Sequence, residues 1–309
     1  MGTKVLITGA CGFVGSNLAL RLANSSNYEL VGIDDLSQGN KDYVSGLDLK
    51  LCHSDIRDFD SILQEFEGVD TVIHLAAAGS VVQSVKDPLF NFSVNVQGTL
   101  NVLRACAHNR VKKVIFSSTG GALMGNTNPP VSESSLPKPI SPYGASKLCC
   151  EAYCNAFASC YGLETICLRF ANVYGPNSYH KSGVINTFFK KIKRNENLTI
   201  FGDGSSTRDY IHVDDLVSAI LNAIHYPVSG NEIFHIATGR EVSIVELGQL
   251  ALNVSGAQDI SLDFLPSRTG EVERNFADYE KARNKLSFRP KISIENGLKQ
   301  LWDDHAHEF

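Results

Sequence analysis

The chain has no block of lysines and arginines, and its formal net charge of −5 gives no basic field for a nucleic acid backbone. No apolar run reaches the 18 or so residues of a membrane span, and Met1 to Lys4 lead straight into Val5-Leu6-Ile7, an apolar run too short for a signal peptide to be expected there. The eight cysteines, at 11, 52, 106, 149, 150, 154, 160 and 167, have no zinc-ligand spacing. They lie mostly inside apolar helix or strand patterns and read as small buried hydrophobes in a reducing compartment, so a cytoplasmic protein without a metal is expected. Internal repeats and low-complexity segments are lacking as well. What remains is 309 residues, 43% of them hydrophobic, enough for one large domain or two intimate ones to fold unaided.

Short apolar runs alternate with helix-length amphipathic segments through the first half, the pattern of a doubly wound parallel sheet. Strands are expected at 4–8, 29–34, 47–52, 70–75, 112–117 and 163–168, with helices at 14–24, 59–66, 88–109 and 143–161. The sheet is therefore at least six strands wide. After Gly175-Pro176 the pattern is irregular, with helices near 184–194, 213–226, 243–254 and 293–304. The expected architecture is α/β: a Rossmann-type doubly wound sheet over 1–170, parts of 208–237 returning to it, and a smaller α/β lobe over 171–309 that takes the substrate.

Thr8-Gly9-Ala10-Cys11-Gly12-Phe13-Val14-Gly15 follows the first strand and opens the first helix. Gly9 can make the turn, Gly12 lets the backbone approach a pyrophosphate, and Gly15 lets helix and strand pack closely. Three glycines often serve structure alone. Here Asp34 ends the second strand about 20 residues on, where a carboxylate accepts hydrogen bonds from an adenosine ribose. A 2'-phosphate would be repelled by Asp34 and Asp35, so NAD is expected rather than NADP. Asp55-Ile56, after the third strand, are weaker candidates for the adenine edge.

Ser141-Pro142-Tyr143-Gly144-Ala145-Ser146-Lys147 places a tyrosine and a lysine four apart at the start of a helix, on one face. Lowering a phenol from about 10 to about 7 needs roughly 4 kcal/mol of preference for the phenolate. A positive charge near 4 Å supplies on the order of 4 kcal/mol at an effective dielectric of 20, so the lysine and an oxidised nicotinamide could make Tyr143 a base. Such a spacing on its own is more often structural. Upstream, however, the buried strand Val114-Ile115-Phe116 ends in Ser117-Ser118-Thr119, three hydroxyls at the sheet's carboxyl edge, where a substrate oxygen would be held.

Together with TGACGFVGSNL, IDDLSQGN, SDIRD, HLAA, the segment ending VKDP, NVQGTLNVL, FSSTGG, SPYGASK, LRFANVYGP, FGDGSSTRDYIHVDDL and RTGEVERNFAD, these motifs cover nearly the whole chain. The sequence resembles the extended short-chain dehydrogenase/reductases, in their UDP-glucose/UDP-N-acetylglucosamine 4-epimerase branch. The resemblance implies an NAD-dependent isomerase in which Tyr143 takes the proton of the sugar's 4-hydroxyl while NAD takes the hydride of carbon 4. The 4-keto sugar then turns over and receives the hydride on its other face.

By the same resemblance Lys147 is the pKa partner of Tyr143 and a ligand of the nicotinamide ribose, and Thr119 or Ser118, followed by Gly120, meets the 4-oxygen. Gly9, Gly12, Phe13, Val14, Gly15, Asp34, Asp35, Leu36, Ser37, Gly39, Asp55, Ile56, Leu75, Ala76, Ala77, Asn95 and Ser117 line the cofactor. Asn172, Arg208 and Arg268 hold the UDP diphosphate and ribose, with Glu271 on the uridine ribose. Asn275 falls where a bulky tyrosine tends to exclude N-acetyl groups at carbon 2, so UDP-glucose, UDP-galactose and their N-acetyl counterparts are expected substrates.

The chain departs from the family in having Met124-Gly125 where Tyr-Gly is common, and in a stretch 119–122 that is one residue longer than in some members. Dehydratase relatives place an acidic pair after the threonine and decarboxylating relatives a glutamate, whereas Gly120 and Gly121 offer neither. A net-redox reductase or dehydrogenase, a UDP-uronate 4-epimerase and a non-catalytic NAD-binding regulator remain as alternatives. The resemblance also implies a homodimer built on helices 88–109 and 143–161.

Overall fold

The computed structural model describes residues 2–267 and 273–309. Six strands of the first half, β1 (Thr3–Thr8), β2 (Tyr28–Asp34), β3 (Leu49–His53), β4 (Thr71–His74), β5 (Lys113–Thr119) and β6 (Glu164–Phe170), lie in one sheet, joined by the later strand Asn231–Ile236. All neighbours are parallel, in the order Asn231–Ile236, β6, β5, β4, β1, β2, β3. The order reverses between β1 and β4, and sheets of this kind bind ligands at the carboxyl ends of strands flanking such a reversal.

Strand residues feed the two faces alternately, as the period of two requires. Val5, Ile7, Ile73, Ile115, Ile166 and Leu168 pack with the helices Phe13–Ala23 and Val213–His225. Leu6, Val72, Val114, Phe116 and Cys167 pack under the helices Gly98–Asn109 and Pro142–Tyr161. Burial on both faces is why these strands read as continuous apolar runs. A third core joins the helices Val184–Lys193, Ile244–Ser255 and Ile294–His305 to the strand Leu198–Phe201.

The strands and helices expected from the sequence are found within about two residues at each end. Expected helix 88–109 differs in its middle. Its first turn is Pro88–Phe92, a π-helical turn spans Ser93–Gln97, and regular helix resumes at Gly98. Such a turn inserts a residue and re-aims side chains, here Asn95. The strand Asn231–Ile236 adds a seventh strand where part of 208–237 was expected to return, and the short helices Val81–Lys86 and Glu280–Lys285 were not foreseen. Of the cysteines, 11, 106, 150, 154 and 167 are buried and Cys160 is exposed. Among the described residues no helix is long and apolar enough to cross a membrane.

Candidate active site and cofactor cleft

The turn after β1 is shaped by contact with the loop after β4. Gly9 has φ +71°, and a methyl placed on it would stand 2.8 Å from the backbone nitrogen of Ala76. A methyl on Gly15 would collide with the carbonyl oxygen of Gly9, so helix and turn pack with no room for a side chain. Gly12, by contrast, would meet only the Gly9 oxygen, at 3.2 Å, leaving its other side open. It also starts the helix Phe13–Ala23 with no side-chain cap. An uncapped helix start with an open backbone approach is what a pyrophosphate requires, and the residues present fit NAD.

At the end of β2 the Asp34 carboxylate is buried, accepting hydrogen bonds from Cys11 N at 2.9 Å and Leu36 N at 2.8 Å. Each oxygen keeps a lone pair for a ribose hydroxyl. Burial raises its pKa, those two backbone bonds working against the rise. Gly39 closes the loop so tightly that a methyl there would stand 2.9 Å from an Asp34 oxygen. Asp35 is turned to its own loop, accepting from Ser37 N and Oγ. Asp55 is spent on Arg57, which donates to it from its backbone and its guanidinium, and the Ile56 side chain is core, packed against Gly98.

Leu75, Ala76 and Ala77 form the loop after β4. Leu75 N donates to Thr8 O and Ala76 N to Thr8 Oγ1. Thr8 Oγ1 also meets His74 Nδ1 at 2.6 Å, and His74 Nε2 meets Thr99 Oγ1 at 2.9 Å. Burial first, and the charge of Lys147 second, push the His74 pKa down to about 3, so the ring is neutral. Asn95, expected to line the cofactor, is engaged within the protein. Its amide accepts from Ala78 N and donates to Ser146 Oγ, tying the loop to the tyrosine helix.

That helix, Pro142–Tyr161, begins with Ser141 as cap, accepting from Gly144 N, and Pro142 in its first turn; it ends at Gly162 in the left-handed region. The Tyr143 backbone nitrogen donates to the buried hydroxyl of Ser84 at 3.1 Å, a contact that sequence reading missed. The Tyr143 phenol lies beside Thr119 at the end of β5, whose hydroxyl acts to lower its pKa. Lys147, buried, donates its ammonium to the Ser117 carbonyl at 2.8 Å and lies 4.7 Å from the centre of the Phe116 ring. Ser117 Oγ donates to His74 O. Ser118 faces the other way from Thr119, donating to Glu151 Oε1 at 2.6 Å. Of the two hydroxyls left open by the sequence, Thr119 is the one beside the phenol.

The expected effect of Lys147 on Tyr143 is absent from the protein alone. Burial pushes the phenol up to about 12, against the Thr119 bond that lowers it. Burial also pulls the Lys147 ammonium down to about 8. The lysine spends its bond on a strand carbonyl, so the i, i+4 spacing puts the pair on one face without making them partners.

Three expected substrate residues are brought together. Asn172 Nδ2 donates to Asp209 O at 3.1 Å, beside Arg208. Arg208 is in register with Asn275 across a short parallel ladder. A methyl on Gly121 would stand 3.4 Å from the Asn275 amide, which places that residue against the segment just past Thr119. Arg268 and Glu271 lie outside the described residues.

Comparison with known proteins agrees with this geometry. Residues 5–237 match the model of the NAD dependent epimerase/dehydratase family. This chain belongs to that family. It is an NAD-dependent enzyme of the epimerase branch. The UDP-glucose 4-epimerase of Thermotoga maritima, solved with UDP-glucose, is 37% identical, with a TM-score of 0.93 over 97% of this chain and 98% of that one. The UDP-N-acetylglucosamine 4-epimerase of Methanobrevibacter ruminantium, solved with UDP-N-acetylmuramic acid, is 31% identical, with a TM-score of 0.93 over 100% and 99%. The UDP-glucose 4-epimerase of Thermus thermophilus, solved with NAD, is 31% identical, with a TM-score of 0.90 over 99% of both chains.

Gly15→Ala is expected to drive the turn after β1 away from the helix and to leave the folded protein without cofactor. NAD released on denaturation, measured per mole of protein, checks this: near-stoichiometric release from the unaltered protein and little from the variant.

Proposed function

We propose that this enzyme is a UDP-hexose 4-epimerase that interconverts UDP-glucose and UDP-galactose, and UDP-N-acetylglucosamine and UDP-N-acetylgalactosamine. The reading is carried by one observation: a phenol beside Thr119 at the sheet's carboxyl edge, on the same helix face as a buried ammonium, with glycines and no acid next along the chain. Residues 1–170 with the returning segment hold the cofactor, and 171–309 the sugar nucleotide.

The NAD that the glycine turn and Asp34 would hold would supply a hydride acceptor and donor for carbon 4. Tyr143 accepts the proton of the 4-hydroxyl and gives it back; Thr119 donates to the 4-oxygen while the proton is away. Lys147, anchored on Ser117, supplies positive charge beneath the phenol. Asn172 and Arg208, with Arg268 and Glu271, grip the diphosphate and uridine, and this grip is kept while the keto sugar turns over. Removing the 6-hydroxyl as water would need an acid and a base past Thr119, and Gly120 and Gly121 supply neither.

The helices beside the tyrosine support a homodimer. Val82, Val85, Leu89 and Phe92 are each more than half exposed, and Ala152, Tyr153, Ala156 and Cys160 form an exposed stripe on the helix Pro142–Tyr161. Apolar side chains in so continuous a patch call for a cover, and a second copy would present the same stripe.

Incubation with each of the four UDP-sugars is expected to give 4-epimers with no net formation of NADH. Tyr143→Phe should abolish turnover, on the order of 1,000-fold or more, while keeping bound NAD. Stoichiometric NADH would instead identify a net-redox enzyme. Asn275→Tyr should retain UDP-glucose turnover and lose the N-acetyl sugars; equal loss of both would remove Asn275 from beside carbon 2. Val85→Asp is expected to yield a monomer by light scattering, and an unchanged mass would place the partner elsewhere.

A further inference from the structure

Three side chains of the helix Pro142–Tyr161 that are four residues apart meet three consecutive residues of β5. Tyr143 meets the Thr119 hydroxyl, Lys147 the Ser117 carbonyl and Glu151 the Ser118 hydroxyl. Eight residues of helix rise about 12 Å, so the seam is short and its three contacts are mechanically linked. The first two belong to the chemistry already described. The third does not, and it is the most elaborately built.

Glu151 and Arg169 are both about 96% buried. Arg169, on β6, donates Nε to Glu151 Oε1 at 2.9 Å and Nη2 to Oε2 at 2.8 Å, a two-point pairing that fixes the plane of the carboxylate. Arg169 is the direct register neighbour of Ser118 across the β5–β6 ladder. One carboxylate therefore joins the helix, β5 and β6 just below the hydroxyl edge. His235, on the next strand, adds no charge. Burial and the Arg169 cation push it down to about 3, and it stands behind Gly120, where a methyl would be 3.3 Å from its Nδ1. Burying an ion pair costs several kcal/mol of desolvation per ion, so such a pair is poor evidence of a gain in stability and better evidence of a demand for geometry.

We propose that Glu151, oriented by Arg169, is a positioning residue for the Tyr143–Thr119 couple: through Ser118 it sets the distance between the first turn of the helix and the last residue of β5. The inference rests on Tyr143 being the proton acceptor. The groups acting on that phenol are Thr119 from β5 and, on its own helix, Cys150, so the contact with Thr119 is the favourable one that a shift of the helix would weaken. A hydrogen bond to the phenolate lowers the phenol's pKa, and weakening that bond raises it.

Two variants separate positioning from folding. Ser118→Ala removes the hydroxyl and keeps the ion pair, whereas Glu151→Asp keeps a charge for Arg169 and draws the carboxylate back by one methylene. In protein labelled at the tyrosine ζ-carbon, with the Tyr143 signal assigned by its loss in Tyr143→Phe, both variants are expected to shift that signal at neutral pH. In the NAD-loaded enzyme both should move the rising limb of kcat to higher pH and lower kcat on the order of tenfold, leaving KM for the UDP-sugar unchanged. An unmoved Tyr143 signal in both variants overturns the proposal, as does an unshifted limb with KM raised. An unaltered enzyme that turns over no UDP-sugar, while the signal still moves, sinks the proposed function and leaves the positioning role standing.

Discussion

The active centre depends on a buried ammonium that must be satisfied. An unpaired charge taken out of water costs far more than a fold can tolerate, so Lys147 has to find a partner inside. It finds the carbonyl of Ser117, near the carboxyl end of β5, and the face of Phe116. Because the lysine is one turn beyond Tyr143, this bond also decides where the tyrosine stands. The helix cannot slide along the strand without stranding the charge.

The same burial keeps the Tyr143 phenol protonated in the protein alone. Apolar surroundings disfavour the phenolate and the ammonium alike, raising Tyr143 to about 12 and lowering Lys147 to about 8. In the proposed mechanism a bound oxidised nicotinamide would supply the second positive charge, which would tie proton removal to the presence of that ring.

Features that depend on near neighbours in the chain could be read from the sequence. The glycine turn, Asp34 at a strand end, the hydroxyls closing β5 and the capped tyrosine helix are all local, and each stands where expected. Features that depend on what packs from elsewhere could not. Asn95 belongs to Ala78 and Ser146 because a π-helical turn re-aims it, and helix periodicity carries no signal of that turn. Ile56 is core because Gly98 leaves it room, and Asp55 is claimed by Arg57. Ser84 and the Glu151–Arg169 pair were missed although one clue was present: Glu151 continues the four-residue spacing of Tyr143 and Lys147 along a helix face that otherwise buries apolar residues.

The measurement that tests most directly whether the completed site makes Tyr143 a base is the titration of its ζ-carbon signal in NAD-loaded protein, compared with Lys147→Met. The account predicts a midpoint well below the free-phenol value of about 10 in the unaltered protein, and a clear rise in the variant. A midpoint at or above that value in the loaded protein, or one that the loss of Lys147 leaves in place, would contradict it.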